Sequence, residues 1–284
     1  MIDYDTLFVF VDDFSQGFEP WYQQQLLSNG RRKRKRCGQM SLSEVLTILI
    51  AYHQSGRTCL KYFYLDLYAT GRHLFPTLVS YPRFVTLIKQ AFPALLCLLK
   101  SLQGEITEYL FIDSTPMAVS HNLRIHKHQV FKDYAARGHT STGWFYGMKL
   151  HLLFNTKGEL IRLQITPGNV DDRTPVRDLL KGVKARVIGD KGYLSQALFD
   201  DLFDQDVTLI TKIKKRMKNK LMSLKDKAML QRRGFIETIF SSLKSLGTLI
   251  HHRHRCPINA FAHLLAGLIN YQLRQDKPFL HPYP

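Results

Sequence analysis

Three acids stand out by type and position: Asp113, Asp190 and Glu237. Asp113 closes the apolar run YLFID at 109–113, and Asp190 closes ARVIGD at 185–190. Glu237 lies in RGFIETIFSSLK, 233–244. That segment reads as a helix, and ~100° per residue places Arg233, Ser241 and Lys244 within about 40° of Glu237. Phe235, Ile236, Ile239, Phe240 and Leu243 fill the opposite arc. An ordinary surface helix has the same pattern, and one aspartate at a strand end commonly satisfies turn amides. The combination says more. Neighbouring strand ends in a mixed sheet set two carboxylates where ligands collect, and a helix packed on that sheet brings a third. Clustered carboxylates repel, and some must protonate unless cations hold them. Mg²⁺ binds through few carboxylates plus substrate phosphates, and two such ions ~3.5–4 Å apart clamp both oxygens of an in-line phosphoryl displacement. Arg233 and Lys244 flank the acid and can receive phosphates.

The elements that must position these groups follow from pattern. Residues 1–104 read as all-helical. A first helix uses Phe8, Phe10, Val11, Phe14 and Phe18 as core contacts. Ser41 and Glu44 form a capping-box pair opening a second helix to about Tyr52. Others cover 60–68, begin at Tyr81-Pro82, and run 92–102. After Gly104 the pattern changes to short apolar runs bounded by turns, predicting β-β-β-α-β-α-β-α and a mixed sheet with helices packed on it. Residues 121–142, rich in His, Arg and Lys, read as an irregular loop. Segments 144–154 and 159–166 flank Asn155-Thr-Lys-Gly158, a hairpin signal. Lys149 and His151 then share a strand face, as phosphate contacts facing the site or as plain hairpin packing. Asp171 and Asp172 read as N-terminal caps of a helix of about ten residues. A closing apolar helix covers 257–273.

Composition sets the partner class. The 284 residues carry 40 basic and 23 acidic side chains, a formal charge of +17. Such an excess points to a polyanion, nucleic acid before an anionic membrane. The run Arg31, Arg32, Lys33, Arg34, Lys35, Arg36 is a candidate phosphate-contacting arm, or a solvated loop. The chain has no unbroken apolar run of 18 residues, so no membrane span is expected, nor is secretion. The four cysteines are scattered, which reads as free thiols in a cytoplasm. HHRHR at 251–255 lacks zinc-ligand spacing.

With these motifs in view, the chain resembles DDE-type bacterial insertion-sequence transposases, and most nearly the insertion-sequence 982 family. The resemblance rests on FIDSTPM around Asp113, GWFYGMKLHL at 143–152, TPGNVDDR at 166–173, IGDKGY around Asp190 and RRGFIETIFSSLK at 232–244. The family's signature is Tyr, two residues, Arg, three residues, Glu, six residues, Lys. Arg233, Glu237 and Lys244 match it, while the tyrosine position holds Leu230. The resemblance implies a ribonuclease-H-like mixed sheet flanked by helices over 105–284, behind a helical, DNA-binding region 1–104. It implies Asp113, Asp190 and Glu237 as ligands of two Mg²⁺ ions, with Mn²⁺ as a substitute, and Arg233 and Lys244 as DNA contacts. It implies nicking at inverted-repeat ends and attack of the freed 3′-hydroxyl on target DNA, within a homodimer in the bacterial cytoplasm at the nucleoid. Two rivals share these residues: a catalytically silent DNA-binding relative, and a stand-alone nuclease of the same fold.

Overall fold

In the computed structural model the strand carrying Asp113 is longer than its apolar run. β1 spans Tyr109–Ser120, continuing through Thr115-Pro116 where the sequence suggests an end. Its partners explain this. The parallel strand β5 (Arg186–Gly189) pairs with β1 only from Tyr109 to Phe111, while the antiparallel β3 (Gly143–Asn155) follows it to Ser120. Beyond Phe111 one edge of β1 is open, and an open edge tolerates proline.

The structure describes residues 3–30, 38–141, 143–212, 222–245 and 254–280. The run Arg31–Arg36, most of the basic stretch 212–227 and His251–Arg253 lie outside them. The chain divides into two units. One comprises the residues up to Leu102 with His254–Leu273; the other comprises Gln103–Lys244 and the tail from Arg274.

The first unit holds α1 (Tyr4–Ser28), α2 (Leu42–Gln54), α3 (Leu60–Thr70), α4 (Tyr81–Ser101) and α9 (Pro257–Leu273). The Ser41–Glu44 capping box forms, with both reciprocal bonds made. In α1 the buried stripe is Leu7, Val11, Ser15 and Phe18, not the phenylalanines 8, 10 and 14. The two helices read at 81 and 92 are one, with Pro93 inside it. α4 is the one described helix long and apolar enough to cross a membrane, but its stripe Phe84, Ile88, Ala91, Leu95 and Leu98 is buried, and it packs against α2 and α9. α9 is buried nearly all round, from Asn259 to Gln272. The sequence division at 104 assigns it to the second region, whereas it groups with the first unit.

The second unit is a mixed sheet with helices. β3 is its spine: β1 pairs along one edge, while the other is shared by β2 (Ala136–Thr140) and β4 (Leu160–Pro167). β5 and β6 (Thr208–Thr211) extend the sheet in parallel beyond β1. The order β4-β3-β1-β5-β6, with β3 antiparallel, is the ribonuclease-H-like arrangement. The expected loop 121–142 carries a 3-10 helix, Asn122–Lys127, and the strand β2. The expected ten-residue helix is α5, only Val176–Leu180. Helices α6 (Gln196–Phe203), α7 (Leu224–Gln231) and α8 (Gly234–Ser245) complete the unit.

Residue parity assigns the faces. Leu110 and Ile112 join Leu153, Val176, Leu179, Tyr193 and Leu198 in one buried cluster. On the other face Phe111 meets Phe235 of α8, ring centroids 5.3 Å apart. The apolar arc of α8, Phe235, Ile236, Ile239, Phe240 and Leu243, is buried as its spacing requires, worth roughly 1.5–3 kcal/mol for each large side chain.

Candidate active site

Asp113 and Asp190 become neighbours through register. Phe111 of β1 pairs with Ile188 of β5, and each aspartate stands two residues further along its parallel strand. Parity puts Asp113 on the Phe111 face, beneath α8. Glu237 is in the first turn of α8. Arg233 precedes that helix at the turn from α7, its amide donating to the Leu230 carbonyl.

One guanidinium gathers all three acids. Arg233 Nη2 lies 3.7 Å from Asp113 Oδ2 and 3.6 Å from Asp190 Oδ1, while Nη1 donates to Glu237 Oε1 at 3.1 Å. The Arg233 side chain is 18% exposed and Glu237's is 67%, so the site has a buried floor and an open rim. Burial pushes the Asp113 carboxyl up to about 6; the Ser114 amide, donating to Oδ1 at 2.8 Å, and Arg233 pull it down, and Asp190 and Asp172 push it up.

The donor set fits a hard divalent cation in chemistry and charge. All three groups offer carboxylate oxygens, and one arginine leaves the trio with net negative charge when ionised. Among the described residues no three His, Cys, Asp or Glu side chains stand arranged around a common metal position; in this arrangement the cation within reach of all three acids is Arg233.

The other expected site residues fall elsewhere. Lys149 and His151 do share a face of β3, but it is opposite to that of Asp113, which pairs with Leu152. Lys149 Nζ donates to the Val170 carbonyl and to Asp172 Oδ1, both at 2.9 Å. His151 is fully buried, with Nε2 2.8 Å from Thr166 Oγ1. Burial pushes its pKa down to about 4, with Lys149 lowering and Asp172 raising it. Neither side chain is placed to meet a phosphate. Lys244 is exposed near the end of α8, and Leu230 is buried.

Asp171 and Asp172 cap nothing; the residue before α5 is Pro175. Asp171 accepts the Arg173 amide at 2.9 Å and its guanidinium at 2.8 and 2.6 Å. Asp172 pairs with Lys149, and its charge raises the pKa of both Asp113 and Tyr193 from a distance. Tyr193 is buried, and burial with the charge of Asp113 holds its hydroxyl well above its ordinary pKa. The sequence carries one signal for Asp172: a lysine inside an otherwise apolar strand needs an acid partner.

A family model described as a transposase DDE domain matches residues 103–257. No curated protein matches the chain. Among solved structures, a cryo-EM structure of a piggyBac transposase synaptic complex with hairpin DNA aligns with 86% of this chain and 67% of its own, at 13% identity and a TM-score of 0.49.

Proposed function

We propose, from the premise that this chain belongs to the DDE-domain transposases, that it binds the inverted-repeat ends of an insertion sequence and cleaves and joins DNA strands there. The spacing of Arg233, Glu237 and Lys244 supports a kinship with the insertion-sequence 982 elements, with Leu230 standing at the signature's tyrosine position. The observation that carries the reading is the single guanidinium within ion-pair reach of Asp113, Asp190 and Glu237: acids 47 (237 − 190) and more residues apart in sequence are brought to one point.

Asp113, Asp190 and Glu237 would hold two Mg²⁺ ions, which when bound activate the attacking oxygen and stabilise the leaving one. Asp113 supplies the least exposed of the three carboxylates, and its pKa of about 6 leaves it mostly ionised at neutral pH. Asp190 brings its carboxylate from the adjacent strand end. Glu237 comes from the exposed rim, with freedom to adjust as DNA docks. Arg233, released from the acids, is the nearest cation for the scissile phosphate. Asp172 and Lys149 hold the TPGNVDDR loop against β3. The helical unit and the run Arg31–Arg36 provide sequence-independent phosphate contacts, and the active complex is a dimer.

The test is strand cleavage on a plasmid bearing one element end. Asp113→Asn should remove Mg²⁺-dependent nicking by at least 10³-fold, the scale of lost catalytic groups, while a mobility shift shows unchanged DNA binding. Equal nicking by that variant refutes the assignment. Joined molecules among wild-type products select transfer, and fragments alone select a nuclease. Binding without nicking in both Mg²⁺ and Mn²⁺ selects a silent relative.

A further inference from the structure

The segment between β1 and β3 builds a second surface, apart from the three acids. Its 3-10 helix exposes Arg124, His126 and Lys127. Asn122 fastens that helix to β3, its Nδ2 donating to the Trp144 carbonyl at 2.7 Å. β2 sets His139 directly opposite Trp144. Trp144 is 57% exposed, unusual for an indole outside a binding surface. Its ring is already oriented: the Arg137 guanidinium carbon lies 4.9 Å from the ring centroid, and the His139 ring meets it edge-on at 5.0 Å. A cation on an exposed tryptophan, within a basic surface, is the composition of a base-stacking platform.

Its position relates it to the acids. β3 pairs residue by residue with β1 and β2 without an inserted residue of its own between Trp144 and Leu152. Parity therefore puts Trp144 on the face of Leu152, the partner of Asp113. Eight residues at ~3.3 Å span ~26 Å, about eight base pairs of duplex at 3.4 Å each.

We propose that Trp144 stacks on an unpaired base of the DNA, about eight base pairs from the strand held at Asp113, with Arg137, Arg124 and Lys127 on the adjoining phosphates. This rests on the reading of the chain as a DNA-processing protein. It adds a site specific for unstacked bases, because a base inside an intact duplex has no free face to offer.

The chain has two tryptophans, Trp21 and Trp144, so Trp21→Phe leaves Trp144 as sole indole reporter. The full chain is titrated in chelator with a paired duplex, the same duplex carrying one unpaired base, and a single strand. Indole emission should be quenched by the bulged duplex or the single strand and little changed by the paired duplex. Quenching by the bulged duplex assigns the base to a distorted helix; quenching by the single strand alone assigns it to a frayed end. Trp144→Ala should weaken the quenching probe roughly tenfold, the usual loss of one stacked base, and leave the paired duplex within twofold. Trp144→Phe should restore most of it. Binding with unchanged emission on all three probes, or equal weakening of all three by Trp144→Ala, overturns the stacking site and leaves the transposase reading intact. Failure to bind any DNA overturns both.

Discussion

Arg233 is where the chemistry of the site is most exposed to test. It stands among three acids whose mutual repulsion it offsets. Burial raises the Asp113 pKa to about 6, so between pH 3.8 and 6 the folded chain holds a proton that the unfolded chain has released. Ionising Asp113 therefore costs stability as pH rises through that window. Arg233 opposes this shift, and removing it moves the folded value further up. Arg233→Gln should thus be about 1–2 kcal/mol less stable than wild type at pH 8 in chelator, with the deficit shrinking towards pH 5. Mg²⁺ or Mn²⁺ should raise its melting temperature more than that of wild type, since the metal no longer displaces an internal cation. Calorimetry at pH 5 and 8, with and without metal, reads both effects. An equal metal response in the two proteins would mean that Arg233 and metal do not share the site.

At the scale of elements, periodicity and turn chemistry were legible and distance was not. The two faces of α8, the capping box at Ser41 and the hairpin between β3 and β4 followed from local spacing. The length of β1 did not, because Pro116 signals a stop unless one knows that β5 leaves that edge open. Nor did the short α5, where Asp171 binds Arg173 instead of capping. Lys149 looked available for phosphate because its partner, Asp172, lies 23 residues away. The three acids were legible as residue types at strand ends and on a helix face; their meeting around Arg233 is a tertiary fact. One glycine in the GWFYGMKLHL motif now has a physical reason. A Cβ at Gly147 would lie 2.0 Å from the Met117 carbonyl oxygen on β1, so backbone, not a movable side chain, blocks it. Gly147→Ala should cost at least about 2 kcal/mol by parting β1 from β3, measured by urea unfolding. A neutral result would show that the two strands can separate there at little cost.

At the scale of the whole molecule, the sequence order of elements and their grouping differ. α9 follows the sheet-bearing unit in the chain yet packs with α2 and α4. Its apolar surface marked it as central, but no local signal says to which unit a helix buried on every side belongs. A fragment 105–284, cut where the pattern changes, should carry α9 without those partners and self-associate, whereas 103–244 should stay monomeric and retain the sheet; size-exclusion chromatography of the two checks this. Monomeric behaviour of 105–284 would count against α9 as a core helix of the first unit. Within that unit α9 also sets His263 Nδ1 3.2 Å from His53 Nε2. Burial, helped by the charge of His254, depresses His53 to about 3. A depressed histidine favours the folded state above its unfolded value near 6.5 and withdraws that support as pH falls, opposite in sign to Asp113.

The return of α9 also orders events during translation. α2 and α4 leave the ribosome first, and the surface they offer to α9 stays bare while the entire sheet-bearing unit is made. At ~5–20 residues per second that interval is on the order of ten seconds, long enough for the sheet to fold before the helices are complete. The nascent helical unit is then the half whose apolar surface waits uncovered until its missing helix emerges.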